Sequence, residues 1–381
     1  MSSEQSTDSG QSKSRLHDQA EGASPLLLAV DRGDYEFVTN HPVPYGPGPG
    51  TEGRRALDLA RYWCEAGAEA ELRRRSGVTG PAERMAVRHD GDWVSHELSL
   101  GGLKVRTGHA AILTYLESKY GIAPSFEELK HRALAEGDVE HVVWLETTSV
   151  LWQRQLRTPT DPNAVWNAAA ALADSPDPLE RRFGADVLYC IDLFDESDDF
   201  PFDGPLGNLF LSWAAREEDS RVLRVLANGL SGTSARAVPL LTALTRHADP
   251  HVRAGAVSGL SFPVNAGDEE AVAAVVERAR DEVPAVRRSA CQVLGAVPAG
   301  HPDITVAHTP AGPLRLDTLA ACLSDEEEDV RVTAAFGLGM SDDPRADDVL
   351  RLYEGLGEDS SYHWELYSVW ARRRRREQEG F

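Results

Sequence analysis

The residues in this sequence best suited to chemistry are its histidines, cysteines and carboxylates, and their spacing gathers few of them. His96-Glu97 is the one histidine–glutamate dipeptide. An iron centre would use such pairs, because it needs several imidazoles and carboxylates converging on one point. A single pair falls short of that count, so an ordinary surface pair is expected and no metal ligand is assigned. His247, His251, His301, His308 and His363 have no ligand spacing. Cys64, Cys190, Cys291 and Cys322 are scattered with no Cys-x-x-Cys unit. Free buried thiols in a reducing cytoplasm are therefore expected, rather than a zinc site or a disulfide framework. The sequence holds no phosphate loop, no Gly-x-Ser-x-Gly elbow and no dinucleotide fingerprint. No catalytic residue and no cofactor are assigned, and the protein is expected not to be an enzyme.

Three further groups have a sharp reading and a plain one. Trp144 and Trp152, followed by Trp166, could line a groove, but large aromatics more often fill cores, and core packing is expected. Tyr362, Trp364, Tyr367 and Trp370 read as a hydrophobic end cap, with Trp364 a candidate for exposure. The basic run Arg372 to Arg376 could meet an anionic surface, but its terminal place suits a helix C-terminus, where cations complement the dipole.

Composition narrows the partners. The 381 residues have a formal charge of −22, which argues against a broad nucleic-acid footprint and favours neutral or basic partners. Hydrophobic residues make up 41%, enough for a substantial core. Arginine far exceeds lysine, which points to a GC-rich, bacterial genome. No apolar run approaches the roughly 20 residues that span a bilayer. The polar N-terminus lacks the apolar stretch of a signal peptide, so a cytoplasmic protein without a membrane role is expected.

The elements that must position these residues read as helices. Residues 1–22 are too polar to bury much surface and are expected to be a disordered tail. A helical region is expected over 23–155. It opens at Ser24-Pro25-Leu26, a capping residue with proline at the first helical position. The segment Ala29 to Val38 reads as helix, a turn at Gly33-Asp34, and helix; it recurs at Ala133 to Val142 around Gly137-Asp138, with a related start at Gly53 to Ala60. Residues 84–106 alternate at Val94, His96 and Leu98 between turn residues, which predicts a small β-hairpin or an irregular loop. Ser125-Phe126-Glu127-Glu128 fits a capping box that restarts helix. At the Gly-Asp turns the front half resembles the ankyrin repeat, over 24–77 with an echo at 126–150; it departs from that family in the Pro/Gly insertion from His41 to Gly50.

From Trp166 the period changes. Asp249-Pro250-His251-Val252-Arg253, Val283-Pro284-Ala285-Val286-Arg287 and Glu328-Asp329-Val330-Arg331 align, with weaker copies at Asp177, Asp219 and Asp359. Proline stops one helix and starts the next. Val252, Ala256 and Leu260 share a face, and the small residues Ala256, Ala290 and Ala334 allow close approach. One such hairpin cannot bury its apolar face alone, so the copies must stack.

These residues resemble the HEAT family, in the short form seen in phycobiliprotein lyase-like repeats. The resemblance spans 166–371 and implies a mainly α fold: a right-handed α-solenoid of helical hairpins over 160–371, behind ankyrin-like helical pairs, with 372–381 a charged tail. It also implies a ladder between adjacent repeats, carried over as Asp281 with Arg287 and Asp325 with Arg331; the Arg253 repeat departs from the pattern with His247 at the acidic position. Some HEAT-like proteins are metal-dependent hydroxylases or lyases, and others are DNA glycosylases with a basic concave face. The lone His96-Glu97 pair argues against the first. Asp325 to Asp329 and Asp195 to Asp199 argue against the last.

The reading that remains is a non-catalytic protein-binding module using the concave face of the stack. Positions two and six after each core valine point away from the core by helical geometry. They give the candidate partner-binding residues Arg224, Asn228, Ser258, Arg288, Gln292, Val332, Phe336, Trp364 and Ser368. Arginine and aromatic residues of this kind are enriched at interfaces.

Overall fold

The computed structural model describes residues 24–41, 50–89, 93–157, 163–230, 235–296, 305–355, 360 and 362–379. The expected tail 1–22, most of the Pro/Gly insertion, the turn at Asp90-Gly91-Asp92, His301 and Asp359 lie outside them, as does the side chain of Trp364. The chain forms two compact units, dividing between Ile191 and Asp192.

The first unit opens with α1 (Pro25–Arg32) and α2 (Tyr35–Asn40). Ser24 caps α1 by accepting from the Leu27 amide, and Asp34 caps α2 by accepting from Phe37. Gly33 joins them in the left-handed region at φ 65°, and a Cβ there would lie 2.1 Å from the Arg106 carbonyl oxygen, so only glycine fits. The same plan recurs. Ser125 caps α6 (Phe126–Glu136), Gly137 closes it at φ 67°, and Asp138 accepts from the Glu140 amide ahead of α7 (Val142–Arg157). Between these pairs lie α3 (Thr51–Ala66), α4 (Ala68–Ser76), a small sheet and α5 (His109–Lys119).

That sheet is larger than a hairpin. It has three antiparallel strands in the order β1 (Glu83–Arg88), β2 (Val94–Leu100), β3 (Leu103–Arg106). The turn at Gly101-Gly102 has positive φ at both residues, the geometry that joins twisted strands tightly. Leu98, Leu100 and Val105 face a core cluster with Trp63 and Leu72. Strand β1 escapes the alternation rule because it is exposed almost throughout and carries charges at Glu83, Arg84 and Arg88. The unit closes with α8 (Ala164–Ala171) and with α9 (Pro178–Leu193), which runs across the boundary. Trp144 is buried against Phe183 and donates to Asp186 at 2.9 Å, a core residue with a satisfied polar end.

The second unit is a succession of helical pairs: α10 (Asp203–Ala214) with α11 (Ser220–Gly229), and α12 (Val238–Leu244) with α13 (Pro250–Gly259). After the short α14 (Ser261–Ala266) come α15 (Glu269–Arg278) with α16 (Pro284–Gly295), α17 (Gly312–Cys322) with α18 (Glu328–Met340), and α19 (Asp347–Leu352) with α20 (His363–Glu379). The second helices pack on one another in sequence: α11 on α13, α13 on α16, α16 on α18, α18 on α20. Small residues set the spacing. A Cβ on Gly259 would stand 2.3 Å from the Ala227 carbonyl oxygen, and one on Gly295 would stand 2.7 Å from Gly337 Cα. Ala256, Ala290 and Ala334 are fully buried on the same helices.

Each turn between paired helices repeats one local device. A polar side chain accepts the amide two residues on: Glu217 from Asp219, His247 from Asp249, Asp281 from Val283 and Asp325 from Glu327, at 2.9 to 3.0 Å. In the first unit Ser175 does the same for Asp177. Four residue types serve because each offers an acceptor at the right reach.

Candidate functional site

The turns also hold the arginines of the repeat. Arg253 donates from Nη1 to the carbonyls of His247 and Ala248, Arg287 to those of Asp281 and Glu282, and Arg331 to those of Asp325 and Glu326. Each arginine thus binds the carbonyls six and five residues before it, inside its own turn. The remaining faces of Arg253 and Arg287 reach forward into the next repeat. Arg253 grips Asp281 in bidentate fashion at 2.9 and 2.8 Å, and Arg287 grips Asp325 at 2.7 and 2.8 Å. Both pairs are nearly buried, and the fork geometry of arginine matches the carboxylate. Burial pushes the Asp281 carboxyl up, but the Arg253 and Val283 hydrogen bonds outweigh it and leave it below the usual range. The Arg287 bond likewise lowers Asp325.

This places the four expected ladder residues differently from a pairing within each repeat. Asp281 partners Arg253, and Arg287 partners Asp325, while the side chain of Arg331 holds its own turn. Arg253 belongs to the ladder although its own acidic position is His247, because its carboxylate partner lies 28 residues downstream. The signal in the sequence was Asp281 itself, read one repeat forward.

The ladder and the close glycine contacts fix the second helices and so the face they present. Arg224, Gln292 and Ser368 are exposed on it; Asn228, Ser258, Arg288 and Phe336 are half-buried. Arg288 stands 4.0 Å from Asp329 of the following pair. Val332 does not belong to this face and is corrected: it is fully buried. Residues 332–335 are buried consecutively, so α18 is covered on several sides and the two-and-six rule, which needs one wet face, fails there. The backbone of Trp364 lies on α20, but its side chain is not described.

At the end of the second unit, Leu366 and Val369 are the buried residues of α20, whereas Tyr367 is 45% exposed. Among the described side chains Tyr362 and Trp370 are half-buried, so the aliphatic pair is the best buried part of the end cap. Tyr367, Trp370 and His363 line an open groove of about 420 Å³ with Glu354 and Arg374. Arg372 and Arg373 pair sideways with Asp342 and Asp347, so these two bind carboxylates of the same unit rather than only complementing a helix end.

In the first unit His96 and Glu97 point to opposite faces of β2, as strand alternation requires. His96 stacks on His141 and accepts from Arg84, whereas Glu97 pairs with Lys104. The two side chains do not converge. His141 is a capping residue: its Nδ1 accepts from the Val143 amide at the start of α7, and its Nε2 lies 2.8 Å from Thr107 Oγ1. Burial, with His96 beside it, pushes it down to about 4, so it stays neutral.

Two buried polar groups had no sequence signal. Arg315 is fully buried and donates to the carbonyls of Leu294, Val293 and Ala296, to Thr309 and to Asn265. It caps the negative end of α16, and burial lowers it to about 10. Tyr35 and Glu146 form the other, a pair joining α2 to α7.

A family model described as HEAT repeats matches residues 208–295, from α10 through α16. That segment carries HEAT repeats. The Escherichia coli protein YibA is similar in structure, with 16% identity and a TM-score of 0.41, over 66% of this chain and 85% of that one. An engineered protein has 18% identity and a TM-score of 0.38, over 96% of each chain. A search among curated proteins found no match. Among the described residues no helix is long and apolar enough to cross a membrane.

Proposed function

We propose that the protein is a non-catalytic interaction module whose HEAT repeats hold a protein segment along the exposed face of their second helices. The observation that supports this is the row Arg224, Asn228, Ser258, Arg288, Gln292, Phe336 and Ser368, set on helices whose spacing is fixed by buried Arg–Asp pairs and glycine contacts. Rigid helices presenting mixed arginine, amide and aromatic groups suit a polypeptide partner. With a net charge of −22, the partner is a neutral or basic segment, and the site of action is the cytoplasm. The front helical pairs, each turning at a left-handed glycine followed by a capping aspartate, are read as ankyrin-like units.

The test is affinity capture from the native source with wild-type protein and with Arg288→Glu/Phe336→Ala in parallel. A partner held by wild type and lost by the variant supports the reading. Equal capture by both rules out this face.

A further inference from the structure

Helix α2 is a short, lightly anchored element of the first unit. It has six residues, its one buried side chain is Val38, and Phe37 is 42% exposed. Elements with so little apolar burial open at low free energy. Four polar contacts hold it: Tyr35 to Glu146 on α7, the Thr39 carbonyl to Tyr115 of α5, Glu36 to His89, and its cap Asp34 to Arg106.

The first of these differs in kind. Tyr35 Oη donates to Glu146 Oε2 at 2.5 Å, across 111 residues of sequence. Glu146 is only 9% exposed; Val142 and Val143, one turn before it on α7, cluster with Ala111, and Tyr35, Trp93 and Ala110 pack against them. No arginine or lysine forms an ion pair with Glu146 among the described residues. Lys119 acts on it through space and stands 5.1 Å over the Tyr115 ring. Among the described residues the charged and titratable groups that act on the pair are Tyr115 and Lys119 from α5, while Glu36 of α2 pairs with His89.

We propose that Tyr35 and Glu146 form a proton-operated latch, which keeps α2 docked on α5 and α7 while Glu146 carries a proton and loosens when that proton leaves. Burial pushes the Glu146 carboxyl up to about 7, against the opposing pull of Tyr35 and Lys119. Burial and Glu146 together drive Tyr35 far above its ordinary range, so the phenol remains the donor throughout. When α2 opens, Glu146 meets water and returns toward 4.5, and the open state then binds fewer protons than the closed one between the two values. Closure is thus strongest below pH 4.5 and is lost as pH rises through 7.

Amide exchange of the full chain, corrected for intrinsic rates, reads this directly. The opening constant of residues 35–40 rises about 30-fold from pH 5.5 to 8.5 in wild type. Glu146→Gln, which keeps an acceptor for Tyr35, removes the rise, whereas His89→Gln leaves it intact. A flat wild-type profile, or the same rise in Glu146→Gln, overturns the latch. If Glu146→Gln does not fold, carboxyl-labelled wild type decides by NMR: titration of Glu146 near 7 sustains the latch, and titration near 4.5 ends it.

Discussion

The two units solve one problem in opposite ways. Both must hold short helices together while satisfying buried charge. The second repeats one solution: a polar cap in each turn, an arginine on the turn carbonyls, and a bidentate grip on the next repeat. The first, apart from its paired Gly-Asp turns and the Ser175 cap, relies on contacts that do not repeat along it. Trp63 donates to Asp31, which Arg75 also grips; Arg132 joins Glu117 to Glu128; Tyr35 meets Glu146. A periodic solution spreads stability over many equal contacts, and an aperiodic one concentrates it in single sites.

The Arg–Asp ladder and the Tyr35–Glu146 pair answer pH with opposite signs. Asp281 and Asp325 sit below 3.8 in the fold, so their contribution is full above that value and disappears as acid protonates them. Glu146 sits above its ordinary 4.5, so its contribution is full in acid and disappears as pH rises through about 7.

The largest expected effect breaks the ladder. Arg253→Met leaves Asp281 buried with the Val283 amide and with Arg278 at 3.1 Å, and should cost about 3–5 kcal/mol by urea denaturation at pH 7. A cost below about 1 kcal/mol would mean that the bidentate pairs are ornamental. Next in size, Glu146→Gln should stabilise the first unit at pH 8 by about 3 kcal/mol and have no effect at pH 4, read by exchange protection in 25–157. Gly259→Ala forces a methyl against the Ala227 carbonyl and should cost about 1–3 kcal/mol, confined to the second unit. Smallest, Ser125→Ala removes the cap of α6 and should cost about 1 kcal/mol, within the first unit only.

The same contrast explains what could be read from the sequence. Repetition made the second unit legible: Val252, Val286 and Val330 stand at one place in three hairpins, and all are fully buried. The Gly33 and Gly137 turns were legible because a left-handed helix end favours glycine. Strand β1 was not, since its charges mask the alternation. Val332 was misassigned because a helical wheel knows only its own helix, whereas the burial of α18 comes from its neighbours. The Arg253–Asp281 bond was missed because turn residues 28 apart look unrelated until the repeats are superposed. Arg315 and Glu146 are buried charges of a kind no local pattern announces, because their partners are backbone carbonyls or a single distant phenol.

The forward reach of the ladder carries an evolutionary consequence. The cassette beginning at Asp281 offers a carboxylate backward to Arg253 and a guanidinium forward to Asp325, so the two junctions it makes have the same chemistry. Unequal recombination that excised residues 281–324 would leave Arg253 facing Asp325, the same kind of pair it had before. Spans of 28 and 38 residues already separate the two partners of these pairs, so the coupling tolerates insertions within a repeat. The array can gain or lose a hairpin by duplication or deletion without inventing a new contact.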